Sequence, residues 1–197
     1  MRPSHCLILT LALALTACAG GASRPEPKRL LLSYDGPVAA TPATSRPRLI
    51  VRAVNLPDYL DRRELVRRVG SAEIVRDDTA LWAERPSKAI TRWVTLALAA
   101  ARTDYTVESY TPADGRAPDA VLVITLDRFE PDAEGVARLR GSWVFAPNGR
   151  QGTASGRFDA DAPMTGSSAE ASVLALNAAL GEAVKALAAA LPLSLSP

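Results

Sequence analysis

The chain reads as an α+β domain, a mainly antiparallel sheet covered on one face by two helices, on the strength of three patterns. Residues Val136 to Phe145 alternate: Ala137, Leu139, Gly141, Trp143 and Phe145 fall on one side, and Arg138, Arg140, Ser142 and Val144 on the other. That is the period of a strand with one dry and one wet face. Val173, Leu176, Leu180, Val184, Leu187 and Leu191 instead step by three or four residues, the period of a helix. Strand-like segments cluster while helical periods occur only twice and far apart, which places helices on one face of a sheet.

Taken in order, Leu30-Leu31-Leu32-Ser33-Tyr34 is a first strand, followed by a Pro-rich loop from Asp35 to Pro47 that is either a connection or a recognition segment. Arg48 to Asn55 is β-branched and apolar enough for a strand, and Leu56-Pro57-Asp58 ends it. Glu64 to Val69 and Glu73 to Arg76 form a hairpin about Gly70-Ser71. Pro86 suits a first helical turn, and Ala89, Ile90, Trp93, Val94, Ala97 and Ala101 then recur on one helical face. Tyr105 to Tyr110 is a further strand, and Thr111 to Gly115 a loop. Ala120 to Phe129 is an apolar strand that turns through Pro131 to Gly135 into the alternating segment. Pro147-Asn148-Gly149 makes the next turn, and Arg150 to Asp161 returns as a small, polar strand near an edge. Ser167-Ser168-Ala169-Glu170 is a capping box for the second helix, which Pro192 stops.

The N-terminus carries a different signal. Arg2 precedes the apolar run Cys6 to Leu15, which is too short for the roughly 20 residues of a membrane span and is followed by Thr16-Ala17. Leu15-Thr16-Ala17-Cys18 matches a bacterial lipobox, in which the Cys18 thiol accepts diacylglycerol and the preceding peptide bond is cut. The alternative is an ordinary signal peptide with Cys18 there by chance. Several acyl chains, each methylene contributing about 0.8 kcal/mol, make a durable anchor. Ala19 rather than Asp follows Cys18, the pattern of outer-membrane placement under the sorting rule for lipoproteins. The expected organisation is therefore a signal peptide over 1–17, a lipidated N-terminus and flexible tether over 18–29, one α+β domain over 30–192, and a short tail over 193–197. Fully extended at about 3.3 Å per residue, residues 19–29 reach about 35 Å from the lipid.

Composition excludes several chemistries. The single His, His5, and the second Cys, Cys6, both lie in the segment to be removed. The mature chain thus has no imidazole and no free thiol, which rules out disulfides, Cys-ligated metals, Cys nucleophiles and Ser-His-Asp triads. Removing Arg2 takes the formal net charge from +2 to about +1, so nothing argues for a nucleic-acid partner. No metal site, cofactor or catalytic residue is expected.

One stretch is more specific. Leu56-Pro57-Asp58-Tyr59-Leu60-Asp61-Arg62 is followed by Leu65-Val66-Arg67-Arg68, and then by Leu81-Trp82-Ala83-Glu84 leading into the first helix. It resembles the PqiC family of transport-associated lipoproteins, with Arg63 where that family commonly has Pro, Leu65 for Ile, and Arg85-Pro86 for Pro-Leu. The resemblance implies an outer-membrane lipoprotein facing the periplasm. Its partners would be a membrane-embedded transport subunit and an MCE-domain protein that bridges the envelope, and it would assemble as a homo-oligomeric ring. The lipids moved between membranes would then be the cargo of the system.

The residues themselves leave two readings open. Tyr59, Leu60, Asp61 and Arg62 either fill the core and cap a turn or present an aromatic and charges to a partner. Trp82 and Glu84 either anchor the helix start, Glu84 favourably near the helix dipole, or face a partner; Trp143 reads as core. Three functions compete: a non-catalytic subunit of a lipid-transport assembly, a free-standing lipid or ligand carrier with a groove between sheet and helices, and an enzyme using Asp127, Glu130, Asp159 and Asp161. The last would need carboxylates whose environments split their pKa values.

Overall fold

A computed structural model describes residues 26–37, 46–110, 117–149 and 152–193. Cys18, the signal segment, most of the tether, most of the Pro-rich loop, the loop from Thr111 and the end of the tail lie outside the described residues. The element order is β1 (Lys28–Leu30), β2 (Arg48–Val51), β3 (Glu64–Arg68), β4 (Ile74–Trp82), α1 (Pro86–Ala101), β5 (Thr106–Ser109), β6 (Ala120–Pro131), β7 (Val136–Pro147), β8 (Ala154–Pro163) and α2 (Ala169–Ala190). This is the expected α+β class, with strands in two sheets rather than one. A five-stranded sheet runs β5-β2-β6-β7-β8 and a three-stranded one runs β1-β4-β3.

Pairing is mostly antiparallel because the long β6-β7-β8 meander dominates it. Parallel neighbours occur where the chain crosses over: β1 with β4, and β2 with both β5 and β6. Alternation along β6 and β7 puts Leu122, Ile124 and Leu126 opposite Phe145, Trp143 and Gly141 on one buried face. Both helices lie on that face: Ile90 and Val94 of α1 meet Leu180 and Val184 of α2 above Ile124, Leu126 and Leu139. By length and composition α2 is apolar enough to cross a membrane. Here its Val173, Leu176, Leu180, Val184 and Leu187 are buried against the sheet, each fully buried aliphatic contributing about 1.5–3 kcal/mol.

Two glycines are required by close approach. A Cβ on Gly141 would lie 2.2 Å from the Thr125 carbonyl oxygen and 2.8 Å from Leu126 Cα. These atoms sit beside a bulge at Asp127, which shifts the β6 register between Leu126 and Arg128. A Cβ on Gly156 would meet the Trp143 indole at 2.7 Å, so the ring lies flat on the backbone of β8.

Several boundaries differ from the sequence reading for identifiable reasons. The first strand is Lys28–Leu30, because its exposed polar residues pair with Ala80 to Trp82. Leu32 is instead drawn into the core, Ser33 accepts from Trp93 Nε1 at 3.0 Å, and Tyr34 packs edge-on to Trp93 at 5.3 Å. β2 ends at Val51; Asn55 keeps only an isolated bridge to Thr125. β4 extends to Trp82, so Leu81-Trp82 belongs to a strand. β8 runs from Ala154 to Pro163 and is an edge strand, as its polar character suggested. The α2 N-cap is Ser168, whose hydroxyl accepts from Ala171 N at 3.1 Å, one residue later than the capping box in the sequence implies.

Both long helices are finished by residues from elsewhere. α1 has no acidic residue in its first turn, and Arg85 at its N-cap makes no side-chain cap. α2 has no basic residue in its last turn. Arg102, just past α1, donates to the carbonyls of Ala188 at 3.1 Å and Leu191 at 3.0 Å and also to Pro192, satisfying the C-terminal end of α2. Asp104 pairs with the same guanidinium at 2.6 Å, and Tyr105 lies under it, its centroid 4.9 Å away.

Candidate functional site

Pro57 bends the chain so that Leu60 N and Asp61 N both donate to its carbonyl, at 2.9 and 3.1 Å. The turn sends its side chains in different directions. Leu60 is buried in the core. Asp61 Oδ1 accepts from Ser87 N at 3.0 Å and Oδ2 lies 3.4 Å from Arg85, so it caps α1 across 26 residues of chain. Arg62 stays exposed and donates to the Asp58 carbonyl at 3.1 Å. Asp58, Arg62, Arg63, Glu64 and Arg85 surround Asp61 in an open polar recess of about 440 Å³.

Tyr59 leads to a buried carboxylate. Its hydroxyl accepts from Arg68 at 3.3 Å and lies 3.4 Å from the Asp127 carbonyl and 3.5 Å from Glu130 Oε2. Burial first, and then the Glu130 carboxylate, push the Tyr59 phenol above its ordinary value, so it is a neutral hydroxyl at physiological pH. Glu130 is 0% exposed and takes Nε–H bonds from Arg68 and Arg128, both at 2.9 Å, together with the Phe129 N–H at 2.9 Å. A buried carboxylate needs such partners. The cluster ties the turn, β3 and β6 together.

Trp82, at the end of β4, is buried and stacks on Phe129 with centroids 6.4 Å apart. Glu84 pairs with Arg92 of α1 at 2.6 Å. Trp143 is buried, as read from its face of β7. Tyr59, Leu60, Asp61, Trp82 and Glu84 are thus all engaged within the fold, while Arg62 borders the open recess. The residues that sequence reasoning missed as a unit are Arg68, Arg128 and Glu130. The available signal was Glu130 beside Phe129 at the end of a strand that starts as an apolar run at Ala120, since such a group is buried only when paired.

The acidic residues weighed as an enzyme's acids are spread out. Asp127 sits exposed at the bulge, and Glu130 is held by two arginines. Asp159 and Asp161 share Arg140 at 3.1 and 2.6 Å, and Asp161 also meets Arg138 at 2.7 Å. The Arg140 hydrogen bond chiefly holds the Asp161 carboxyl below the usual range, the wrong direction for a general acid at neutral pH. Among the described residues no group of three or more His, Cys, Asp or Glu is placed to hold a metal ion.

A sheet covered on one face by two helices defines the α+β class of the domain. The chain belongs to the family of ABC-type transport auxiliary lipoprotein components, matched over residues 30–188. That is the PqiC-like family its sequence resembles, and the description points to a non-enzymatic role alongside partner transport proteins. Solved structures share the fold. The crystal structure of an uncharacterized protein aligns at TM-score 0.68 and 18% identity, covering 83% of this chain and 97% of that one. A Xanthomonas campestris protein aligns at TM-score 0.63 and 19% identity, covering 81% and 92%. No curated protein matches the chain.

Proposed function

We propose that this protein is a non-catalytic outer-membrane lipoprotein subunit of an MCE-type intermembrane lipid transport system. It is anchored through acylated Cys18, faces the periplasm, docks the envelope-spanning MCE-domain protein and supports membrane integrity. The observation that carries this reading is the family match over residues 30–188, joined to a lipobox at Leu15 to Cys18. In this reading the protein is a homo-oligomeric ring, and the Arg62-bordered recess, the exposed part of the family motif, belongs to its docking surface. The membrane-embedded transport subunit completes the assembly. Affinity purification of the tagged full chain from solubilised envelopes tests it: an MCE-domain protein should be recovered with the bait, and repeated recovery of the bait alone would contradict it.

A free-standing lipid carrier is the second reading, and the groove of about 740 Å³ between β8 and α2 favours it. Phe158 and Leu187 line that groove together with Arg157, Asp159, Asp161 and Glu182, a mixed lining ill-suited to an acyl chain. The wholly apolar gap between helices and sheet is only about 10 Å³, scarcely the space of one water. Native mass spectrometry of the extracted protein separates the two readings, since a carrier retains lipid and a docking subunit comes out empty.

A further inference from the structure

The wet face of the meander holds two facing arginines whose N–H groups internal pairing does not exhaust. Arg128 of β6 and Arg140 of β7 are direct cross-strand partners. Like charges directly opposite on one face of a sheet are destabilising by themselves. Arg68 joins them from β3, and with Arg138, Asp132 and Glu134 the three line a groove of about 430 Å³ at the Gly70-Ser71 hairpin tip.

The ion pairs in this groove are unevenly shared. Arg138 is consumed by acids: it donates to Asp132, meets Asp161 at 2.7 Å and lies 3.7 Å from Glu134. At the other end two guanidiniums, Arg68 and Arg128, share the single carboxylate of Glu130, which leaves one positive charge over. Arg128 spends only its Nε there, and its two terminal nitrogens have no protein partner among the described residues. Arg140 makes every one of its contacts through Nη1: the carbonyls of Leu139 and Ala160 and the carboxylates of Asp159 and Asp161. Its Nε and Nη2 likewise lack a protein partner among the described residues.

We infer that the Arg68, Arg128 and Arg140 groove is a binding site for a phosphate group, held between the unspent N–H groups of Arg128 and Arg140. A tetrahedral phosphoryl group offers the acceptor oxygens that two facing guanidinium forks can grip, and its charge meets the one left over at Glu130. An inorganic phosphate and the phosphodiester of an anionic phospholipid headgroup share this chemistry. The site does not depend on the transport role: it stands or falls on the groove alone.

Calorimetric titration of the full chain in non-ionic detergent tests it, with inorganic phosphate in one arm and glycerophosphoglycerol, a deacylated headgroup, in the other. Saturable binding should appear in at least one arm, and tighter binding of glycerophosphoglycerol identifies a lipid headgroup, the reverse order a free phosphate. Arg128→Gln and Arg140→Gln should each weaken binding about tenfold, the loss expected for a charge-assisted hydrogen bond, while exposed Arg76→Gln on β4 leaves it unchanged. Arg140 does not touch Glu130, so Arg140→Gln decides the matter if Arg128→Gln fails to fold. Absence of saturable binding in both arms, equal affinity in a folded Arg140→Gln chain, or equal weakening by Arg76→Gln would overturn the assignment.

Discussion

Asp61 caps a helix that begins 25 residues after it: its Oδ1 accepts the Ser87 N–H at 3.0 Å, in the first turn of α1. The local N-cap, Arg85, has no acceptor to offer, so the family motif supplies one from outside. Asp61→Ala should cost about 0.5–2 kcal/mol of unfolding free energy, and Asp61→Asn, which keeps the acceptor and loses the charge, less. Urea titration followed by circular dichroism measures both. Equal stability of Asp61→Ala and the parent chain would show that Asp61 serves something other than the helix.

The buried carboxylate makes a larger demand. Glu130→Gln keeps the shape but leaves Arg68 and Arg128 without their shared anion; because both guanidiniums keep access to solvent, the cost should be that of a hydrogen bond to a charged group, about 1.5–3 kcal/mol. Tyr59→Phe removes a hydroxyl whose contacts are all 3.3 Å or longer, so its cost should stay below about 1 kcal/mol. The two variants should therefore separate clearly in denaturant midpoint, and the idea fails if they do not.

Glycine replacements probe the meander. Gly141→Ala forces a methyl group into backbone atoms of β6, which cannot yield as a side-chain tip does, whereas Gly156→Ala meets the Trp143 ring. Gly156→Ala should cost about 1–3 kcal/mol and alter the near-ultraviolet signal of tryptophan, and Gly141→Ala should cost more. The reverse order in thermal melts would mean that the bulge beside Gly141 relaxes.

Acid should weaken the fold in a defined direction. Burial pushes the Asp132 carboxyl up, but hydrogen bonds from Val136 N and Arg138 lead the opposing contributions that hold it below its ordinary value of 3.8; Asp161 is held below the same value chiefly by Arg140. With both folded values depressed, the unfolded chain takes up protons first. The stabilisation is complete above the ordinary value and is lost as pH falls through it toward the folded values. Melting temperatures measured from neutral pH down to about pH 3 should decline on the acid side, and Asp161→Asn should flatten that decline. An unchanged acid slope in the variant would remove Asp161 from the account.

The legible parts of the fold are those that depend on local period. Alternation from Val136 to Phe145 and the helical steps from Val173 to Leu187 were readable because each element buries one face of its own repeat. Pro86 at the first position of α1 was readable for the same local reason. What escaped the sequence is long-range. Nothing near α2 announces that Arg102 will close its C-terminal end, just as nothing near α1 points to Asp61. The three-stranded sheet is completed by β1 pairing with β4 some 50 residues later, through a short segment that carries no strand period. At the candidate site, the motif residues were found by resemblance, while Arg68, Arg128 and Glu130 form a unit only once β3 and β6 are brought side by side.

The claim on which the functional reading turns is that Cys18 carries acyl chains. Growing cells on labelled palmitate and recovering the full chain, beside a Cys18→Ser chain, measures this directly when detergent phase partitioning is read on the same samples. The account predicts label and detergent-phase recovery for the parent chain, and neither for Cys18→Ser. Unlabelled parent protein, or a Cys18→Ser chain that still partitions with detergent, would contradict it.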